Sequence, residues 1–162
     1  MKIAILHGPR DIRIQDKPLD THNLGPHEIY VETEITALKL GTDRGNWEGA
    51  PSMPGAPNEF PRLVGDSNLG EVKDIGSEVT RFRVGDRVVS KQHHQSSYIS
   101  PESMTIPLRN RTHHEDSDGQ LSSISIEGKD AGEIVKVPRC VSSEDAVYTH
   151  LYSLSGLCYH KA

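Results

Sequence analysis

Cysteine is scarce in this chain: Cys140 and Cys158 are the only two, and they are not in a Cys-x-x-Cys spacing. That excludes a disulfide framework and a zinc-ribbon pattern, and leaves the expectation of two reduced thiols in a cytoplasmic protein. Aromatic residues make up only 5% and hydrophobic residues 34%, so any core must be aliphatic and the loop content high. No apolar run approaches the roughly 20 residues a membrane-spanning helix needs, and no signal-peptide core follows Met1. Positive charge is not in excess either. Eighteen Lys and Arg face 23 Asp and Glu, giving a formal net charge of −5 with the two signs interspersed. A basic patch is therefore missing, which argues against nucleic acid or an anionic membrane surface as a partner. Also lacking is any Gly-x-Gly-x-x-Gly string, the turn that seats a dinucleotide pyrophosphate at a helix N-terminus.

What the chain does contain is punctuation. Fourteen glycines and ten prolines in 162 residues predict frequent turns, few long helices and a single mainly β domain. Residues 2–6 read as a short apolar strand, and 11–15 as its hairpin return through Ile12 and Ile14. Ile29, Val31, Thr33 and Ile35 alternate on one face of a strand over 28–35. Residues 36–47 read as an irregular turn with one helical turn at most, and the proline-rich 50–61 as a loop. Strands are expected over 69–75, 87–90, 97–100 and 134–138. Residues 108–132 are polar and almost free of large apolar side chains, and within them 110–132 reads as an inserted loop. Ser142 or Ser143 then caps one helix, with Glu144 and Asp145 in its first turn and an apolar stripe from Ala146 through Leu157.

The most informative stretch is residues 63–88, LVGDSNLGEVKDIGSEVTRFRVGDRV. Its layout, Gly65-x4-Gly70-x-Val72-x3-Gly76-x2-Val79 followed by Gly85-Asp86-x-Val88, resembles the GroES-like domain that opens medium-chain alcohol dehydrogenases. Other segments follow that family's order. MKIAILHGPRDIRIQDKP is similar to its opening hairpin, GPHEIYVETEITAL to its first long strand, Gly41-Thr42-Asp43 to its Gly-Ser/Thr-Asp turn, and IVKVPRCVSSEDAV to the passage before its linking helix. Each glycine is expected where the backbone needs positive φ or a close strand approach.

The resemblance implies a zinc site at positions this chain has changed. Leu40 stands where a cysteine ligand would precede the Gly-Thr-Asp turn, and Asp66 and Ser67 stand where a His-Glu pair would follow a glycine. The third ligand falls near 149–151, beside His150. Catalytic zinc needs three protein ligands, so zinc is not expected; retention through Asp66, His150 and another partner is the alternative. The four-cysteine lobe of a structural zinc is absent too. Among retained positions the resemblance implies catalytic roles for Thr42, Asp43 and His94. Thr42 would hydrogen-bond a substrate carbonyl or a nicotinamide ribose, and His94 would lie near the substrate side. Against this, Thr42 and Asp43 also suit a turn cap, and His94 an ordinary surface position. Trp47 fits either a pocket wall or a loop anchor. The run His113-His114-Glu115-Asp116 reads as a solvated acidic loop in preference to a metal site.

These readings give one expectation. The fold is mainly β: a GroES-like, partly open β barrel over 1–141, then a C-terminal helix over 142–162 leading toward a nucleotide-binding Rossmann domain absent from this chain. The implied function is the substrate domain of an NAD- or NADP-dependent oxidoreductase lacking the usual zinc ligands. It would act on a small-molecule alcohol or carbonyl, and as a homodimer in full-length form. By itself the chain binds no NAD(P) and is inactive. A non-enzymatic GroES-like binding or assembly module is the alternative.

Overall fold

The computed structural model describes residues 1–51, 59–103 and 134–149. The expected loop 110–132, His150 and Cys158 lie outside them. Two sheets carry the architecture. The smaller has the order β2-β1-β4 and is built from β1 (Lys2–Gly8), β2 (Asp11–Asp16) and β4 (Arg62–Leu63). The larger has the order β7-β3-β5-β6-β8, from β3 (Glu28–Thr36), β5 (Asn68–Ile75), β6 (Arg87–Ser90), β7 (Ser97–Pro101) and β8 (Val135–Lys136). Every pairing is antiparallel. The sheets do not close into a complete barrel. A seam joins them where the Ala4 amide donates to the His94 carbonyl at 2.9 Å and the Ser96 amide to the Lys2 carbonyl at 2.8 Å.

Period-two alternation explains the larger sheet. Ile29 and Val31 of β3, Val72 of β5 and Val88 of β6 are completely buried and pack with Phe82, Tyr98 and Ile134. The Tyr98 phenol pairs with the Ser90 hydroxyl at 2.9 Å, and burial pushes its pKa upward against the smaller opposing effect of that bond. A second cluster joins Leu69 and Val89 to Ala37 and to Ala146 and Val147 of α2 (Ser143–Val147). Ser142 caps α2 as expected, its hydroxyl accepting from the Asp145 amide at 3.1 Å. Gly76 shows why glycine punctuates this sheet: a Cβ there would collide with the carbonyls of Gly25 and Pro26.

One element differs from the sequence reading. Residues 36–47 were expected to be irregular, yet α1 spans Leu40–Glu48 as a nine-residue helix. It buries no side chain, so it has no apolar stripe to announce it. Its termini define it instead. The Asp43 carboxylate reaches back to accept from the Lys39 amide at 2.5 Å, in the manner of a capping box. Gly49 closes the other end with φ of 86°, and its amide donates to the Asn46 carbonyl. The β1–β2 turn holds α1 through the Arg10 amide on the Trp47 carbonyl and the Arg10 guanidinium 5.5 Å from the Trp47 ring centre. Trp47 is thus a loop anchor in this fold.

Candidate functional site

Three chain segments converge beside the seam: the start of α1, the β4–β5 connection and the stretch between β6 and β7. Gly65 makes the approach possible. Its φ is 91°, and a Cβ there would come within 2.7 Å of the His94 ring and backbone. The His94 amide donates to the Val64 carbonyl at 2.9 Å, and His93 Nδ1 lies 2.8 Å from the Gly65 carbonyl. Asn68 extends the network, its amide reaching the His93 carbonyl at 3.2 Å and the Thr33 hydroxyl at 3.0 Å. These bonds fix the backbone that carries His94.

Asp43 and His94 are brought together. Asp43 Oδ1 and His94 Nε2 are 3.8 Å apart, and their side chains are only 12% and 14% exposed. Both atoms are buried, and neither has a hydrogen-bond partner among the described residues. A gap of this width leaves two groups poised for a small polar guest, since buried polar atoms are otherwise satisfied. His94 also lines a groove of about 300 Å³ at the seam, with Ile3, Ala4, Thr33, Thr36 and Gln95. Thr42 sits one residue before Asp43 but is exposed to solvent. The cap role weighed for Asp43 is real, and it uses Oδ2, leaving Oδ1 free for His94.

The positions aligned with the first two metal ligands have other occupations. Leu40 is 87% exposed and carries no donor atom. Asp66 accepts an ion pair from the ammonium of Lys39, and the Ser67 hydroxyl donates to the Val147 carbonyl, tying α2 to the sheet. Among the described residues no group of three or more His, Cys, Asp or Glu side chains is arranged to hold a metal ion. Sequence reasoning missed Lys39. Nothing in its local pattern marks a lysine between an alanine-leucine pair and a glycine turn as buried; only the fold reveals it.

Residues 25–138 match the alcohol dehydrogenase GroES-like domain. The chain belongs to this family. It is 33% identical over 91 residues to a zinc-type alcohol dehydrogenase-like protein of Schizosaccharomyces pombe, covering 55% of this chain and 20% of that one. It is 35% identical over 89 residues to a quinone oxidoreductase of Pseudomonas aeruginosa, covering 54% and 25% respectively. Among solved structures, the fold is similar to Escherichia coli quinone oxidoreductase in complex with NADPH. There the TM-score is 0.56 at 18% identity, over 92% of this chain and 37% of that one. It is also similar to a mutant enoyl thioester reductase from Candida tropicalis, with TM-score 0.52 at 18% identity, over 85% and 33%. The chain therefore spans about a quarter or less of the length of these two curated relatives. No helix among its described residues is long and apolar enough to cross a membrane.

Within the GroES-like domain the converging segments hold polar groups of complementary kind. The carboxylate of Asp43, the imidazole of His94 and the exposed hydroxyl of Thr42 offer acceptors, a titratable ring and a rotatable donor. Such a set can orient a hydroxyl or a carbonyl and pass a proton, provided another group supplies the redox chemistry.

Proposed function

We propose that this chain is the substrate-side domain of an NAD(P)-dependent oxidoreductase that acts on a small alcohol or carbonyl without zinc. The observation that carries the zinc-free reading is how the first two ligand positions, at Leu40 and at Asp66-Ser67, are occupied. Zinc in a catalytic site needs three N, S or carboxylate ligands and an open fourth position. Leu40 has no donor, Ser67 is engaged with the Val147 carbonyl, and Asp66 already faces an ammonium. Among the described residues no ligand set fits the ion, and no step is assigned to it.

A nicotinamide cofactor, when bound, would supply or accept the hydride. The described residues of this chain orient the reacting oxygen and its proton. Asp43 and His94 face each other across 3.8 Å, a separation a substrate hydroxyl or a water can bridge. Thr42 adds a hydroxyl at the solvent side of the same turn. With no metal to polarise the carbonyl, hydrogen bonds from fixed donors take that part. The groups that would bind NAD(P) belong to a separate Rossmann unit, toward which α2 would lead.

Two measurements test this. Fluorescence titration of the purified chain with NADH and NADPH is expected to show no saturable binding; micromolar saturation would show that the cofactor site lies here after all. Elemental analysis is expected to find zinc well below one ion per chain, and stoichiometric zinc would end the zinc-free reading.

A further inference from the structure

Lys39 breaks three local rules at once. It occupies the N-cap of α1, where short side chains with an acceptor oxygen are preferred, and it makes no side-chain cap. It places a cation at the positive end of the helix dipole. Its side chain is 9% exposed, although an ammonium loses several kcal/mol of hydration when buried. Its partner Asp66 is 39% exposed, so the pair is not a sealed structural bridge. Buried ion pairs of this kind contribute little to net stability, and violations of local preference concentrate at functional sites.

The ammonium has three N–H donors, and among the described residues only one finds an acceptor, Oδ2 of Asp66. The same residue's backbone amide is held by Asp43, whose other oxygen faces His94. The cation is thus mounted on the turn that carries one of the two orphaned polar atoms, Asp43 Oδ1, which faces the other, His94 Nε2. We propose that Lys39 is the cationic hydrogen-bond donor for a substrate carbonyl oxygen, held in position by Asp66. This rests on the reading of the chain as a substrate-side domain. No covalent bond to Lys39 is involved: its N–H groups polarise the carbonyl and stabilise the alkoxide-like charge that hydride arrival creates. The ligand class is a small neutral ketone or aldehyde.

The test is an NMR titration of the full chain with cyclohexanone, following the lysine ammonium signals and the backbone amides. Saturable shifts are expected at the Lys39 ammonium and at the amides of Thr42, Asp66 and His94. Lys39→Met should weaken the affinity about tenfold, the loss expected for one charged hydrogen bond, and Lys39→Arg should retain part of it. Asp66→Asn keeps the ammonium but frees it, and should weaken binding by a smaller factor; it also serves if Lys39→Met does not fold. Unchanged affinity in a folded Lys39→Met or in Asp66→Asn overturns the role of Lys39 while leaving the site intact. No saturable shift near Thr42 and His94 in the wild-type chain overturns both this inference and the substrate-side reading.

Discussion

The centre of the larger sheet and the helix α1 are built on opposite principles. In the sheet, Ile29, Val31, Leu69, Val72 and Val88 are all fully buried, and alternation along each strand decides which face they take. In α1 nothing is buried; a carboxylate at one end, a glycine at the other and the Arg10–Trp47 contact hold it in place. Apolar burial supplies stability in the first region, at roughly 25 cal/mol for each Å² removed from water. The second region contributes little of that and instead positions Asp43 and Lys39 with their polar atoms oriented. The domain separates the part that keeps it folded from the part that presents chemistry, and the β4–β5 connection with Gly65 links them.

Leu69→Ala tests the first half of that contrast most severely. Leu69 is 0% exposed and packs against Ala37, Val89, Ala146 and Val147, so its truncation removes a contact shared by β5, β6 and α2. Denaturant unfolding should show a loss of about 3 kcal/mol, within the range for leucine truncation in a close-packed core. A loss under about 1 kcal/mol, the scale of an exposed site, would mean the sheet centre is not the stabilising region.

Glu102 offers a smaller and pH-dependent test at the edge of the same sheet. Its side chain is 5% exposed; one carboxylate oxygen accepts from the amides of Thr80 at 2.9 Å and Arg81 at 2.8 Å, while the other lies 3.6 Å from His27. Burial alone would raise its pKa, but the two amide bonds and the histidine outweigh it, so the folded value lies below the ordinary 4.5. A carboxylate whose folded pKa is depressed stabilises the fold above its unfolded value, and that contribution disappears as pH falls through the folded one. Unfolding free energy should therefore decline as pH drops below about 4.5, and Glu102→Gln should flatten the decline while costing about 1–2 kcal/mol at pH 7. An equally steep decline in the variant would assign the acid sensitivity to other carboxylates.

The same contrast explains what the amino-acid sequence discloses. The strands are legible because alternation and glycine spacing are direct imprints of burial and close approach, as Ile29, Val31 and Gly65 show. The α2 cap is legible for the same reason: Ser142 followed by Asp145 is a local hydrogen-bond pattern. The helix α1 is not, because LGTDRGNWE has two glycines and no apolar face, and its capping carboxylate lies inside the helix it closes. Thr42, Asp43 and His94 were reached through resemblance, and the fold brings two of them together; Thr42 stays at the surface. Lys39 was out of reach. Its burial depends on Asp66, 27 positions away, and no period links them.

The smallest expected effect closes the comparison from the other side. Leu40 is the most exposed large apolar residue among those described, at 87%, and it begins a helix that buries nothing. If α1 is held by its ends, removing this side chain should leave the domain almost unchanged. Leu40→Ser is expected to alter unfolding free energy by no more than about 0.5 kcal/mol, the usual range for an exposed site. Two outcomes would be informative. A loss above about 1 kcal/mol would mean that Leu40 is covered in solution, and that α1 has a packing partner the contrast leaves out. A cysteine at the same position tests the ligand argument: Leu40→Cys adds one thiolate donor, but one thiolate and a carboxylate already paired with Lys39 fall short of three ligands. Stoichiometric zinc uptake by Leu40→Cys would therefore show that a further side chain completes the ligand set, and that the missing donor at position 40 is what keeps the ion out.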